Sequence, residues 1–89
     1  MTYFSRRVYN IVSSIPLGQV RTYKWVAKRA GSPRAYRAVG QILKNNPHPL
    51  IIPCHRVVAS NGELGGYAWG KGIKKRFLDL ERQIKKIVL

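Results

Sequence analysis

The stretch from Ile51 to Val58 constrains the fold most, because its apolar ends are separated by the run Pro-Cys-His-Arg at 53–56. A proline fixes its own φ and favours extended geometry at the preceding residue, so we expect a short buried strand that ends at Cys54. Cys54 is the only cysteine of the chain. A neighbouring imidazole or cation can lower the pKa of a thiol and make it a nucleophile. The pattern predicts either a reactive cysteine or an inert, buried one.

Size and charge limit the classes of protein to which the chain can belong. Its 89 residues, of which 45% are hydrophobic, are enough for one small domain with a single core. A net charge of +14 requires an anionic partner, and nucleic acid is a stronger candidate than a membrane surface. The apolar runs are far shorter than the ~20 residues of a membrane span. With one cysteine and no metal-ligand spacing, we expect a cytoplasmic protein without disulfide, metal, cofactor or membrane contact.

Helix signals fill the first half of the chain. Apolar residues recur at helical spacing from Phe4 to Ile15, and Thr2 or Ser5 can cap that helix. Thr22 is a suitable N-cap for a second helix, Tyr23 to Ala30, and Gly31 suits a left-handed residue after it. Ser32 and Pro33 then predict the start of a third helix that runs to about Lys44. Two short helices joined by a tight glycine turn indicate a helix-turn-helix unit, although two plain core helices are the alternative.

The predicted third helix has two different faces. One face is apolar and consists of Ala35, Ala38, Val39, Ile42 and Leu43. The opposite face carries hydrogen-bonding and cationic side chains, namely Arg34, Arg37, Gln41 and Lys44. A cationic face without acids is what a helix docked on DNA needs.

The second half of the chain predicts a small β-hairpin, a loop and a last helix. Residues 57–59 form the second predicted strand, and 60–63 have the composition of a hairpin turn. Residues 65–72 are glycine-rich and carry two aromatics that suit closure over a flat ligand. From about Gly72 a helix follows, with Ile73, Phe77, Leu80, Ile84 and Ile87 as its predicted buried stripe. Glu81 lies at the edge of that stripe, where an ion pair with Lys85 is the plain interpretation.

Several ordered blocks resemble the O6-alkylguanine-DNA alkyltransferases. The run Pro53-Cys54-His55-Arg56-Val57 is similar to their active-site signature, Arg37-Ala38-Val39-Gly40 to their recognition helix, and Asn46-Pro47 stands at their spacing before the cysteine. The resemblance extends from about Phe4 to Glu81. It implies a mainly α fold with a small β-hairpin, a winged-helix-like helix-turn-helix catalytic domain. Residues 1–89 would be one DNA-binding and alkyl-acceptor domain, without the N-terminal domain that most members carry.

The resemblance also implies roles for individual residues. Cys54 would take the alkyl group from O6-alkylguanine once and irreversibly. His55 would remove the thiol proton through a water, and Glu81 would hold the imidazole. Tyr23 would donate to guanine N3 and help to flip the nucleotide, whose place Arg37 would fill. Asn46 would brace the turn beneath the cysteine. The guanine pocket would be lined by Tyr67, Trp69 and the backbone around Val57 and Ala68. DNA would be contacted by Arg34, Ala35, Gly40, Gln41, Lys44 and Arg56.

The predicted function is therefore DNA repair by a methylated-DNA–protein-cysteine methyltransferase. Its partner would be double-stranded DNA containing alkylated guanine, bound through the minor groove by a monomer, which would place the protein on the nucleoid. Tyr36 and Trp69 are bulkier than the residues usual in the family and put groove fit and alkyl size in question. A lesion sensor or another helix-turn-helix DNA-binding protein is the alternative, although sensors of this kind lack the cysteine. A Cys-His hydrolase is weaker, because adjacent residues rarely bring thiol and imidazole into direct contact.

Overall fold

The computed structural model describes residues 2–46, 48, 52–61 and 70–88, without the side chain of Val88. The elements follow in the order α1 Tyr3–Ser13, β1 Arg21–Thr22, α2 Tyr23–Arg29, α3 Tyr36–Lys44, a short 3₁₀ helix Cys54–Arg56, β2 Val57–Val58 and α4 Lys71–Val88. The fold class is therefore the predicted one, mainly helical with a small two-stranded sheet. None of the described helices combines the length and the apolar composition that a membrane crossing requires.

Local capping starts the first two helices as predicted. The side-chain oxygen of Thr2 accepts a hydrogen bond from the backbone N–H of Ser5, and that of Thr22 accepts one from Trp25. Gly31 has a φ of +89°, so it supplies the left-handed residue that ends α2. The backbone N–H of Ser32 then donates to the Ala27 carbonyl and closes the turn.

Helix α3 begins three residues later than the sequence predicted. Residues 33–35 form a turn, and Ala35 occupies the N-cap position without a side-chain hydrogen bond. The Ser32 N–H closes the end of α2 on the Ala27 carbonyl, and the Ser32 carbonyl accepts a hydrogen bond from the Ala35 N–H, so residues 32–35 form a turn before α3. The recognition-type helix therefore comprises only Tyr36–Lys44.

The sheet is built differently from the predicted hairpin. Strands β1 and β2 pair in parallel, with Arg21 opposite Val57 and Thr22 opposite Val58. The predicted strand before the cysteine is wrong for its described part, because Pro53 has φ −75° and ψ 65° and the Cys54 N–H donates to the Ile52 carbonyl at 2.7 Å. These values define an inverse γ-turn, which reverses the chain where a strand would continue. The predicted hairpin turn is described only at residues 60 and 61, where the chain does turn.

The hydrophobic core lies between the first three helices and the segment around Cys54. It consists of Val8, Val12, Ile15, Val26, Ala27, Ala30, Val39, Leu43, Cys54 and Val57. A hydrogen bond from the Tyr9 hydroxyl to the Ile42 carbonyl joins α1 to α3. The guanidinium of Arg7 donates to the Ala30 carbonyl and thereby satisfies a carbonyl at the end of α2.

Helix α4 packs with a different face from the predicted one. Of the predicted stripe, Phe77 packs against the core, whereas Leu80 is 52% and Ile87 84% exposed. The buried residues are Lys74, Leu78 and Glu81. The predicted stripe is wrong because two of the inner positions of α4 are occupied by the polar residues Lys74 and Glu81. These side chains are bonded to polar groups on other elements of the fold.

Candidate active site

Cys54 lies at the start of the 3₁₀ helix, directly after the inverse γ-turn, and is 2% exposed. Asn46, buried after the end of α3, holds this turn. Its side-chain Nδ2 donates to the Ile52 carbonyl at 2.9 Å, and its Oδ1 accepts a hydrogen bond from the His48 N–H at 2.9 Å. Asn46 therefore ties the end of α3 to the backbone immediately before the cysteine.

A buried polar network follows the cysteine. The Nε2 atom of His55 lies 2.9 Å from Oε2 of Glu81 on α4. The Nη2 and Nε atoms of Arg56 donate to the same carboxylate, at 2.6 and 2.9 Å. Because Nη1 of Arg56 also donates to the Ile15 carbonyl at 2.8 Å, the network joins the end of α1, the 3₁₀ helix and α4. Glu81 thus makes its described ion pairs across the fold and not along its own helix.

Arg56 is the site residue whose surroundings differ most from the sequence prediction. It was predicted to contact DNA, but its side chain is only 15% exposed and its guanidinium is bonded to Glu81 and Ile15. A guanidinium held in this way matches carboxylate geometry and leaves little surface for a phosphate. Arg56 therefore belongs to the network behind the cysteine and not to the DNA-facing surface.

The burial of these groups sets their protonation states at neutral pH. Burial raises the pKa of Cys54, although Asn46 and Lys74 oppose the rise, so the resting thiol is protonated. Burial also lowers the pKa of His55, which keeps its imidazole neutral. Burial alone would raise the pKa of Glu81, but hydrogen bonds from Arg56 and His55 outweigh it and hold this pKa below its ordinary value. The residue that follows the protonated thiol is therefore a neutral base, and this base is bonded to an ionised carboxylate.

Tyr23 is the first residue of α2 and directly follows β1, while the cysteine segment directly precedes β2. Parallel pairing sets the Tyr23 backbone beside the residues that follow β2. Its side chain nevertheless reaches the site, where burial and then the charge of Cys54 raise the pKa of the Tyr23 hydroxyl. The Tyr23 hydroxyl accepts a hydrogen bond from Nζ of Lys74 at 3.2 Å.

Lys74 is a site residue that the sequence analysis missed. It does not belong to the predicted buried stripe of α4, yet it is completely buried. Its position relative to Glu81 was the available signal, because residues seven apart lie on the same face of an α-helix. Once Glu81 is placed inward, Lys74 must face inward too.

A cavity of about 550 Å³ connects Tyr23 with the exposed face of α3. Its walls are Tyr23, Tyr36, Arg37, Ala38, Gly40, Gln41 and Lys44. Ala38 is exposed there, so its predicted place on the buried face is wrong. A Cβ added to Gly40 would lie 3.9 Å from the Tyr23 ring, in van der Waals contact with it. The glycine therefore leaves this part of the cavity open. Arg34 and Ala35 line a separate cavity at the turn before α3.

Three residues of the predicted guanine pocket lie outside the described residues, namely Tyr67, Ala68 and Trp69. Val57 is described and its side chain is buried in the core. Within the described part of the chain, no group of three His, Cys, Asp or Glu residues could hold a metal ion.

The family follows from a match over nearly the whole chain. Residues 3–83 match the family model described as 6-O-methylguanine DNA methyltransferase, DNA binding domain. The chain belongs to this family.

The curated relatives that the chain matches are longer than the chain. It is 51% identical over 80 residues to a methylated-DNA–protein-cysteine methyltransferase of Methanosarcina barkeri, covering 90% of the chain and 51% of the relative. It is 45% identical over 82 residues to the constitutive enzyme of that name in Bacillus subtilis, covering 91% of the chain and 50% of the relative. The chain thus spans about half the length of the curated relatives it matches.

Solved structures of similar domains include two kinds of protein. Mycobacterium tuberculosis OGT in complex with DNA superposes with a TM-score of 0.90 at 41% identity, covering 93% of the chain and 52% of that protein. Schizosaccharomyces pombe Atl1, in complex with damaged DNA containing O6-carboxymethylguanine, gives a TM-score of 0.81 at 35% identity and covers 91% of the chain and 77% of that protein. Each of these comparisons covers more than nine tenths of the chain.

Proposed function

We propose that this domain repairs DNA by moving an alkyl group from O6 of guanine to the sulfur of Cys54. The observation that carries the proposal is the setting of Cys54 directly before the buried His55–Glu81–Arg56 network. In the reaction the S–C bond forms as the C–O6 bond breaks. The thiol proton passes to His55, and guanine leaves as an anion that is then protonated.

The protonation states of the site support this proton transfer. Because Nε2 of His55 is bonded to the Glu81 carboxylate, it carries the proton of the neutral ring, and Nδ1 is the nitrogen that accepts the proton of the thiol, directly or through a water. The ionised Glu81 stabilises the imidazolium that forms. Arg56 keeps that carboxylate charged and in place. A buried and protonated thiol is thereby activated only when a base acts on it.

The location of the lesion requires nucleotide flipping. The alkylated oxygen lies inside the duplex, so the nucleotide must be extruded at a cost of a few kcal/mol before a buried thiol can reach it. The cavity between Tyr23 and α3 supports this step, because an exposed Arg37 stands at its wall, where it can fill the vacated space. The Tyr23 side chain lines this cavity, where its hydroxyl would donate to the guanine ring and stabilise the leaving anion. Small residues at 38 and 40 suit a close approach of α3 to the minor groove.

The product of the reaction makes each molecule act once. A thioether on Cys54 is a stable group, because a neutral alkyl sulfide has no activated leaving group from which the alkyl group could be displaced. One molecule of the protein would therefore repair one lesion and then be inactive.

Intact-mass measurement after incubation with duplex DNA containing O6-methylguanine tests the proposal. We expect a gain of one methyl group per molecule, localised to Cys54, and no further gain with excess DNA. Cys54→Ser should show no gain and should bind the duplex with nearly unchanged affinity, because the thiol adds little to the DNA contact. Methyl transfer that persists in Cys54→Ser, or wild-type protein that binds the lesion without any mass change, would contradict the mechanism.

Lesion binding without transfer is the second candidate. The similarity to Atl1, of which the chain covers 77%, favours it. Cys54 and its polar network support transfer, because a sensor has no need of an acceptor thiol. The same mass experiment separates the two functions: tight lesion binding with an unchanged mass would establish the sensor.

A further inference from the structure

A second cationic surface lies on α2, where two guanidinium groups lie over one indole. The central carbon of the Arg21 guanidinium is 5.3 Å from the ring centre of Trp25, and that of Arg29 is 4.9 Å from it. Trp25 is half-buried and packs against the core, whereas Arg29 is exposed. The indole is therefore fixed by the core and holds two cations at the surface of the protein.

Helix α1 extends this surface. Nη1 of Arg7 donates to the Tyr3 hydroxyl at 3.2 Å, and the guanidinium carbon lies 5.7 Å from the centre of the Tyr3 ring. Nη2 of Arg7 donates to the Arg29 carbonyl at 3.5 Å and thereby joins the two helices. Tyr3 itself is 74% exposed. We call this set of five residues the Trp25 face; its members are Tyr3, Arg7, Arg21, Trp25 and Arg29.

The Trp25 face and the cavity at α3 lie on different sides of α2. Tyr23 lines that cavity and stands two residues before Trp25, so the two side chains point about 200° apart around the helix axis. Lys24 is turned towards α3, because its Nζ lies 5.3 Å from the centre of the Tyr36 ring. A duplex docked on α3 is therefore separated from the Trp25 face by the width of α2.

The cations of the Trp25 face have no acidic partner among the described residues. Glu81 is buried in the network behind the cysteine, and Asp79 lies beside Arg82 on α4. Two guanidinium groups over one indole repel each other, and an anion bound between them would remove this repulsion. The Trp25 face therefore suits an anionic partner, and the docking of DNA on α3 does not supply one.

The hydrogen-bond donors of the Trp25 face suit phosphate. A guanidinium stacked on an aromatic ring keeps N–H groups in its plane that match the oxygens of a phosphate. Arg21 donates only to the Val20 carbonyl and the Gln19 side chain, and the Arg29 guanidinium donates to none of the described residues. Because stacking already orders these side chains, they lose less rotamer freedom when a phosphate binds.

We propose that the Trp25 face binds the phosphate backbone of a second DNA segment while α3 holds the first. Such contacts do not depend on base sequence. Stacked bases are poorer partners than phosphates here, because guanidinium groups already stack on the Trp25 ring. A lipid surface is a poorer partner as well, because a half-buried indole cannot insert into it.

Two DNA surfaces give the domain a direct route between DNA segments. A second segment binds the Trp25 face before the first leaves α3, so the protein changes segments without passing through the free state. Release of the first duplex then becomes faster as the concentration of other DNA rises. A protein with one DNA surface releases its duplex at a rate that does not depend on this concentration. The inference concerns undamaged DNA and goes beyond alkyl transfer, so either can fail without the other.

Release of a fluorescent, unmodified duplex tests the proposal. The dissociation rate is followed by stopped-flow anisotropy at several concentrations of the same duplex without the label. The test variant is Arg21→Gln/Arg29→Gln. The matched control is Lys75→Gln/Arg76→Gln, which removes two exposed cations from α4 and lowers the net charge by the same amount. Arg29→Gln alone serves if the double variant has a lower melting temperature, since the Arg29 guanidinium has no hydrogen bond within the described chain to lose.

We expect the dissociation rate of the wild type to rise in proportion to the unlabelled duplex. The slope of this rise should fall by about tenfold or more in Arg21→Gln/Arg29→Gln, and by about threefold or more in Arg29→Gln, because each lost contact weakens capture of the second duplex. Lys75→Gln/Arg76→Gln should keep most of the slope. The two double variants should bind the first duplex with similar affinity, because that duplex is held by α3.

Three results would overturn the proposal. The first is a wild-type rate that does not depend on the unlabelled duplex. The second is an equal loss of slope in both double variants, which would reflect net charge and not the Trp25 face. The third is an unchanged slope in Arg21→Gln/Arg29→Gln. Vesicles of phosphatidylserine and phosphatidylcholine distinguish the other anionic partner: binding that only Arg21→Gln/Arg29→Gln weakens, with a concentration-independent release of DNA, would assign the face to lipid.

Discussion

The thiol of Cys54 illustrates how burial and neighbouring charges compete at a single residue. The adjacent His55 and Arg56 suggested from the sequence a cysteine with a lowered pKa. In the structure, burial has the larger effect and raises the pKa of Cys54. Asn46 and Lys74 lower this pKa, but by less than burial raises it. His55 is held neutral and Arg56 is turned towards Glu81, so neither places a strong positive charge at the sulfur. The resting cysteine is therefore a thiol that depends on its base.

Glu81 should make the protein sensitive to acid. Its pKa is lowered in the folded state, so the stability that it contributes is present above its ordinary value of 4.5 and is lost as the pH falls through the folded pKa. The lowered pKa of His55 acts in the same direction, because the unfolded chain takes up this proton first as the pH falls below 6.5. We expect Glu81→Gln to lower the free energy of unfolding by about 2–4 kcal/mol at pH 7. The variant should also lose most of the pH dependence of this free energy below pH 4.5.

Urea unfolding between pH 3 and pH 7 measures both effects. Asp79→Asn is the matched control, because Asp79 is an exposed acid on the same helix and its contact with Arg82 is 3.9 Å long. Its unfolding free energy should change by no more than about 0.5 kcal/mol. If Glu81→Gln retained the acid dependence of the wild type, the network would not be what stabilises the fold in this range.

At the scale of elements, α4 shows that apolar periodicity does not always select the buried face. The most apolar stripe of this helix is largely exposed, with Leu80 at 52%. The inward face instead carries Lys74 and Glu81, which are bonded to Tyr23 and to His55 and Arg56. Hydrogen bonds offset much of the cost of burying these groups, and Leu78 with Phe77 supplies the apolar contact. The helix is thus oriented by the site that it supports.

Helix α3 is where the flipping hypothesis can be tested. If Arg37 fills the space left by the nucleotide, Arg37→Ala should slow transfer from duplex DNA by about tenfold or more even at saturating DNA. Attack on free O6-alkylguanine should be unaffected, because the free base needs no extrusion. Single-turnover rates on both substrates provide the measurement.

Arg34→Ala serves as the control for this comparison. Arg34 is also an exposed cation, but it lines the cavity at the turn before α3 and not the one that contains Tyr23. We expect its loss to weaken duplex affinity and to leave the rate at saturation unchanged. Equal saturated rates for Arg37→Ala and the wild type would reduce Arg37 to one more phosphate contact.

For the whole molecule, the charged side chains are almost all of one sign. The chain has 17 Lys and Arg residues and only three acids. Glu81 is buried within the network, and Asp79 faces Arg82 on the surface of α4. The charged side chains of the described surface are therefore almost all cationic, which opposes self-association and favours a polyanionic partner.

Duplex binding should consequently depend strongly on salt. Each neutralised phosphate lowers the slope of log K against log salt by about 0.9. Only one side of the molecule can face a given duplex, so we expect about five to eight phosphate contacts and a slope of about −4 to −7. Fluorescence anisotropy of an unmodified duplex over a series of salt concentrations gives this slope. A flat response would point to a protein or a small molecule as the physiological partner.

The sequence by itself determined the features that depend on neighbouring residues. Thr2 and Thr22 cap their helices and Gly31 ends α2, because these effects act within one helical turn. The mainly helical class followed from the same short-range signals. The ordered motifs around Arg37, Asn46 and Cys54 indicated the family, because a family signature is a property of the sequence itself.

The tertiary structure decided everything that depends on a distant partner. The chain turns back at Pro53, and β2 pairs in parallel with a strand more than thirty residues earlier. Arg56 finds a carbonyl 41 residues away, and Lys74 finds a phenol 51 residues away. A local sequence pattern indicates which face of a helix is most apolar. It does not indicate that a carboxylate and an amine on another face will have buried polar partners in the folded chain. The orientation of α4, and with it the surroundings of Cys54, is therefore set by contacts that exist only in the folded chain.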